Sequence, residues 1–479
     1  GVSVMVDAPF NHVAWDVELD EKGVEIFGTG SADTEIRAVL PGFFSRDDDY
    51  GSPARNENEI ATAPDRDDFG KWNDVKDVYF GNYSALVRGN DPAERNPHQN
   101  EEDVFDYAGA DWNQQTRNTW KYFASYAPYW LEQTGLPAGQ SVTVQAQTGI
   151  DGLRADFGQG LPPQLWEYVI NVARARKWSF VFMSEALDGG AVTYRSSRHF
   201  DVLNENLLFS LQSATSPGNY REAIENRRAS YGQNLVLLNN VSHDEENYQD
   251  PWQAFIRYAT VNVHAGIPMS FMGQELGISR TYGFNHYETN FGKQIPHFKR
   301  YNSMQPIWDN NDFGLDQLYK AYASIGRARI ASPALQSSHR YFLNETSTNA
   351  AHAKIHGVAK WDQSGSSPET SDVVLAFVNL DRDNQQSGTF DLSPDENDAF
   401  LGIEKDHLYN VSNLAAFQVE NQDNFLWTEA RSGQDLLDNG IFVMLNPVPN
   451  SDPTWATAPY EAQFLKLHDL TAPLLEVNA

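Results

Sequence analysis

The sequence contains no cysteine, only 35 basic residues in 479, and no apolar run near the roughly 20 residues that span a bilayer. Each absence excludes something. Without cysteine there are no disulfides, so stability outside a cell has to come from packing or from bound metal. The 35 basic residues face 65 acidic ones, for a formal charge of −30. Nucleic acid and anionic membranes both require a positive surface, so neither is a partner of this chain. A solvated acidic surface that keeps the protein soluble accounts for the charge. Internal repeats and long low-complexity tracts are also absent.

What remains is a chain long enough for two or three domains. Aromatics make up 13%, including 12 Trp and 21 Tyr. An aromatic-rich core is the commoner reason for such a count, and flat rings that stack on sugars are another. The informative pattern is four apolar runs that each stop at an acid. GVSVMVD ends in Asp7, with Asn11 and His12 just beyond; GLRAD ends in Asp156, FVFMSE in Glu185, and LVLLNNVSHD in Asp244. Such a run resembles a buried parallel strand that delivers a charged side chain to its carboxyl end, where α/β barrels do their chemistry. Singly, each acid reads better as a loop residue or a helix N-cap. Together they carry more. Arg154 lies two residues before Asp156, on the same face of a strand, and a guanidinium there keeps the carboxylate ionised. His243 directly precedes Asp244.

These four segments match, residue by residue, the four short signature regions of the α-amylase family of glycoside hydrolases, which the chain resembles over nearly its whole length. A fifth segment, GIPMSFMGQELG at 266–277, looks like that family's eighth strand, with Phe271 at the aromatic position and Glu275 as the terminal acid. The resemblance implies a retaining enzyme with Asp156 as nucleophile and Glu185 as general acid and base. Asp244 would bind sugar hydroxyls and favour the distorted ring, while Asp7, Arg154, His12 and His243 bind substrate in the first subsite. One carboxyl group must stay charged and the other must hold a proton, so two differently tuned acids are needed, roughly 5–5.5 Å apart. Acetal cleavage of this kind needs no organic cofactor.

The resemblance also implies the architecture, a TIM-type (β/α)8 barrel carrying a domain B insertion and a C-terminal antiparallel β-sandwich. Strand-like runs lie near 2–7, 150–156, 179–185, 199–203, 234–241 and 266–272. Six strands do not close a barrel. The expectation is therefore that the first two strands are missing from this chain, having been cleaved, lost or placed in a separate chain. Any signal peptide is then out of view, and a bacterial protein, secreted or periplasmic, is expected. Residues 1–332 would form the barrel, with 13–111 as domain B and 333–479 as the sandwich. Domain B commonly holds a structural Ca2+ against the asparagine matching Asn11, with the acid clusters at 46–50 and 65–68 as further ligands. Helical spacing predicts a helix over 117–133 and another after Pro162 and Pro163.

Two departures from the family pattern bear on specificity. Gln159 and Gly160 stand where many α-amylases carry Lys and His that grip the acceptor sugar. Residues 278–312, with Trp308, read as an expanded loop after the eighth strand, either a cover for the cleft or surface decoration. The expected activity is hydrolysis of α-1,4 bonds in starch-like α-glucans or malto-oligosaccharides. The alternatives are 4-α-glucanotransfer or α-1,6 cleavage, and a non-catalytic glucan-binding fragment.

Overall fold

A computed structural model describes residues 2–14, 17–29, 35–40, 43, 75–80, 113–145, 147–158, 161, 163–186, 200–204, 207–232, 234–240, 242, 250–271, 274–276, 315–347, 353–363, 365, 367–393, 401–447 and 462–471. The chain divides into two compact units, Gly1–Asn206 with Arg227–Val236, and Leu207–Asn226 with Leu237–Ala479. Among the described residues no helix is long and apolar enough to cross a membrane.

The first unit is built on a parallel ladder. Strands β1 (Met5–Ala8), β4 (Gly152–Ala155), β5 (Val181–Glu185), β6 (Val202–Asn204) and the start of β7 (Leu235–Asn239) pair in that order, all parallel. Parallel neighbours need crossovers, and helices supply them. Gln114–Ala124 and Tyr126–Gln133 precede β4, and Pro163–Arg176 joins β4 to β5. Along β5 the side chains alternate: Phe182 and Ser184 are buried, while Met183 and Glu185 are partly open. The six strand-like runs of the sequence all form strands, the last being β8 (Ile267–Met269) in the second unit.

The continuous helix expected over 117–133 is in fact two. Asn113 caps the first, its Oδ1 accepting from Thr116 N at 2.8 Å, and Trp120 and Phe123 face inward. The break falls at Ser125, three residues before Pro128. Proline has no N–H, and its ring would collide with the carbonyl four residues back, so it fits only the first turn of a new helix. Sequence spacing alone saw one apolar stripe and missed the break.

Two aspartates fasten the amino-terminal ends of the strands. Asp151 Oδ2 accepts from Val4 N at 2.8 Å, its backbone carbonyl from Val181 N, and its Oδ1 from the buried Lys177 Nζ at 2.8 Å. Burial pushes the Asp151 carboxyl up, but Lys177 and Val4 N outweigh it and leave the net shift downward. Asp201 does the same one strand along, accepting from Phe182 N at 2.7 Å and from Arg174 Nη2 at 2.8 Å. Both cations come from the end of the helix Pro163–Arg176 or the residue after it.

Between β1 and β4 lies the segment expected as domain B. Its described elements are an antiparallel pair, β2 (His12–Ala14) with β3 (Val75–Asp77), the helix Glu21–Phe27 capped by Asp20, and the short helix Ile36–Val39. The acid clusters at 46–50 and 65–68 lie outside the described residues.

In the second unit, Leu237 to Asn239 of β7 pair in parallel with β8. Helix Pro251–Val261 lies between β7 and β8 in the chain and Leu315–Ala331 follows β8; beyond it the pairings among the described residues are antiparallel. One sheet runs β14 (Arg431–Ser432), β13 (Leu408–Asn413), β16 (Ala462–Asp469), β11 (Val373–Asn379), β10 (Ile355–Trp361) and β9 (Arg340–Phe342). A second pairs β12 (Gln386–Phe390) with β15 (Ile441–Leu445). Phe377, Val411 and Leu465 from the first and Phe390 and Val443 from the second share one core. The pairings of the C-terminal region are antiparallel, as the resemblance implied. In β13 the polar Asn410, Ser412 and Asn413 are buried and bonded, for example Asn410 Nδ2 to Trp427 O at 2.9 Å, so no polar–apolar alternation marks the strand.

A buried polar cluster sits beside this sheet. The His264 and His356 rings stack at 5.0 Å with their Nε2 atoms 3.0 Å apart, both inaccessible to water, and His264 Nδ1 faces Glu225 at 3.7 Å. Burial lowers the pKa of both histidines; Glu225 resists this at His264, and nearby His264 and Arg221 add to it at His356. Both therefore stay neutral in the native state after the unfolded chain has begun to protonate near 6.5. Their stability is intact above that pH and declines below it, by roughly 1.4 kcal/mol per pH unit for each histidine. Urea midpoints are expected to fall between pH 7 and pH 5, and a His264→Phe, His356→Leu double variant to show a shallower fall. An equal fall in both proteins rules the pair out as the cause.

Candidate active site

The register of the parallel ladder decides what meets at its carboxyl end. Asp7 on β1 is directly opposite Arg154 on β4, and Ala155 is opposite Ser184 on β5. Asp156 and Glu185 therefore emerge side by side, one step past the paired residues. Arg154 reaches all three acids. Its Nη1 lies 2.9 Å from Asp7 Oδ1 and 2.6 Å from Asp156 Oδ1, and its Nη2 lies 2.9 Å from Glu185 Oε2. A planar guanidinium has the donor geometry for this, whereas an ammonium would not.

Arg154, Asp156 and Glu185 are each no more than 15% exposed, while Asp7 is 54% exposed and better screened by water. Burial alone would lower the pKa of Arg154. Glu185, Asp7 and Asp156, in that order, outweigh it and drive the pKa upward, so the cation is permanent. Three carboxylates around one guanidinium leave two negative charges uncompensated.

Behind the acids the backbone is strained. Phe157, the residue after Asp156, has φ of +47° and is the one non-glycine residue with positive φ among those described. An aromatic residue in that region is unfavourable, which is tolerated when the surroundings fix it. Here the turn aims Phe157 N at Glu185 Oε2, 2.8 Å away. Gly158 then passes so close to β5 that an added Cβ would lie 2.3 Å from Ser184 Oγ and 2.9 Å from Glu185 O. Its carbonyl accepts from Trp166 Nε1 at 3.2 Å, and Trp166 stacks on Phe10 at 5.3 Å. Sequence reasoning assigned no role to Phe157 or Gly158. The signal was the glycine two residues after Asp156, in a strand-to-helix turn.

Of the residues singled out from sequence, Asp7, Arg154, Asp156 and Glu185 form this one cluster. Asn11 and His12 follow β1 and contact each other, Asn11 Oδ1 to His12 Nδ1 at 3.0 Å. Asp244, His243, Gln159, Gly160 and the segment 278–312 lie outside the described residues. In the second unit, the run toward Asp244 is held by Asn240, which accepts from Gln274 Nε2 at 2.8 Å and donates to Ala254 O at 3.1 Å. Gln274 rather than Glu275 makes that contact. Among the described residues no group of three or more His, Asp or Glu is suited to hold a metal ion. The atom of buried Asn11 left without a partner is its amide nitrogen, a donor that no cation can use. Asn11 alone therefore does not constitute a calcium site.

Removal of the shared cation makes a direct test of this electrostatic arrangement. Arg154→Met leaves three carboxylates facing one another, raising their native-state pKa values above the unfolded ones. The variant should be less stable than the parent at pH 7 by about 3–5 kcal/mol, and the gap should narrow as pH falls toward 4.5 and the acids protonate. Urea titrations at the two pH values measure it; a gap independent of pH would assign Arg154 a packing role only.

No family model matches the sequence, and no curated protein matches it. Solved structures do. An α-amylase from Geobacillus thermoleovorans, solved with acarbose, aligns over 98% of this chain and 77% of its own, with a TM-score of 0.56 and 12% identity. Eubacterium rectale Amy13B aligns over 98% and 79%, at 0.52 and 11%. CldA, a cyclomaltodextrin glucanotransferase with a three-domain ABC distribution, aligns over 98% and 76%, at 0.52 and 13%. The chain thus has the fold shared by these α-amylase-type glycoside hydrolases and transferases.

Proposed function

We propose that this protein is a retaining glycoside hydrolase of the α-amylase type that cleaves α-1,4 bonds in starch-like α-glucans or malto-oligosaccharides. The observation that carries the proposal is the convergence of Asp156 and Glu185 on one buried guanidinium at the carboxyl end of a parallel sheet. Asp156, held by its contact with Arg154, attacks the anomeric carbon. The glycosidic C–O bond breaks, its electron pair goes to the leaving oxygen, and Glu185 supplies the proton. Water then attacks the anomeric carbon of the glycosyl–Asp156 ester while Glu185 takes a proton from that water, the bond to Asp156 breaks to release its carboxylate, and configuration is retained. Glu185 Oε2 already accepts from Arg154 and Phe157 N, so the transferable proton is assigned to Oε1. Positive charge developing at the anomeric carbon meets a cluster carrying excess negative charge. In this reading Asp7, His12 and His243 bind the sugar, Asp244 favours the distorted ring, and no organic cofactor takes part.

The expected result is that Asp156→Asn lowers reducing-sugar release from soluble starch at least about a thousandfold, with the starch-derived product initially of α configuration by proton NMR. Activity that survives the change removes Asp156 from the nucleophile role. A second reading, 4-α-glucanotransfer or α-1,6 cleavage, is favoured by Gln159 and Gly160 in place of acceptor-gripping Lys and His, and by the fold shared with a glucanotransferase. Products longer than maltoheptaose, formed from maltoheptaose, select transfer.

Among the described residues the parallel strands number six, and a closed barrel of this type has eight. Two further elements belong to the proposal. Action on an external polymer suits a secreted or periplasmic protein. A structural calcium beside Asn11 would need ligands from the 13–111 segment. Its test is independent of activity: EGTA should lower the melting temperature by several degrees and CaCl2 restore it, and an unchanged curve excludes the ion.

A further inference from the structure

The proposed chemistry leaves out a polar contact buried in the first unit. Trp166 lies in the helix Pro163–Arg176, where Leu165, Val169, Ile170 and Ala173 are buried with it. Its ring is inaccessible to water, stacked on Phe10 at 5.3 Å and edge-on to Phe200 at 5.9 Å. A buried indole N–H needs an acceptor somewhere, so the choice of acceptor is what carries information. Here it is the Gly158 carbonyl, 3.2 Å away and two residues past Asp156.

What that carbonyl does follows from its neighbours. Phe157 holds a φ of +47°, a conformation that a phenylalanine leaves when the peptides on either side of it are free to rotate. Neither side is free. Before it, Ala155 is paired with Ser184 in the ladder. After it, Gly158 is pressed against β5, where an added Cβ would lie 2.3 Å from Ser184 Oγ, and its carbonyl is held by Trp166. With both ends fixed, Phe157 N points at Glu185 Oε2, 2.8 Å away. Arg154 Nη2 donates to the same oxygen at 2.9 Å. Two donors on one carboxylate oxygen fix its position and favour its ionised form.

We propose that Trp166 is a positioning residue for Glu185. Through the Gly158 carbonyl it holds the turn that aims Phe157 N at the acid, and so governs both where Glu185 stands and the pH at which it gives up its proton. The role of Glu185 as acid and base rests on the function proposed above, whereas the placement of its carboxyl group by Trp166 does not. A packing role alone has a different signature. Lost packing lowers the amount of folded protein and leaves the ionisation of Glu185 where it was.

The pH dependence of starch hydrolysis by Trp166→Phe tests this. A second protein, with Trp166 replaced by its benzothienyl analogue, keeps the shape of the bicyclic ring and has sulfur in place of the N–H, so it reads the hydrogen bond even where Trp166→Phe fails to fold. In both, kcat should fall about tenfold with KM within about twofold of the parent. The alkaline limb of kcat/KM should move up by about half a unit to one unit, because the ionised form of Glu185 has lost a donor. Carbon-13 NMR of labelled glutamate carboxyl groups, with Glu185→Gln to assign the resonance, reads the same upward move without turnover. An unchanged limb and an unchanged carboxyl titration assign Trp166 to packing and overturn the proposal. If the parent hydrolyses no glucan and the Glu185 carboxyl still titrates higher once the N–H is gone, the positioning role stands and the hydrolase reading falls.

Discussion

One guanidinium organises the first unit's chemistry. Arg154 is the cation among Asp7, Asp156 and Glu185, and its permanent charge lets acids from three strands approach within hydrogen-bonding distance of one group. Without it, like charges at such separations repel by several kcal/mol in a partly desolvated site. The parallel register is what makes the arrangement possible, since it sets Asp7 opposite Arg154 and brings β5 level with β4. Strand order, residue spacing and charge are therefore one constraint seen at three scales.

The second layer of that constraint is steric. Phe157 is held in an unfavourable conformation, Gly158 has no room for a side chain, and Trp166 fixes the Gly158 carbonyl. Together they lock the segment after Asp156 against the end of β5, so the separation of the two acids is set by packing rather than by flexible side chains. A site of this kind is pre-organised at the expense of local backbone strain, which the buried Trp166 and Phe10 surroundings offset.

Much of this was legible in the sequence. An apolar run that ends in an acid says little singly, but several in order mark a parallel sheet, because strands buried on both faces tolerate charge only at their ends. That is why the strands leading to Asp7, Asp156 and Glu185, and the meeting of these acids with Arg154, could be anticipated. What escaped notice had no periodic signature. Pro128 breaks a helix without disturbing its apolar stripe, and β13 buries asparagines that look like loop. The conformation of Phe157 depends on a Glu185 carboxylate 28 positions away, which no local pattern encodes.

The clamps at the amino-terminal ends of the strands carry a different consequence. Asp151 and Asp201 tie adjacent strand starts to each other and to Lys177 and Arg174 at the close of one helix. The turns at that end are thereby fixed in length, since inserting even one residue between Lys177 and Val181 would pull a cation out of its socket. At the opposite end the fastening is the Arg154 cluster, which joins side chains rather than setting a turn length, and the connections that follow β1 and β5 in the chain are long. Natural variation in this scaffold should then be lopsided, with loop length conserved on one rim and free to diversify on the other.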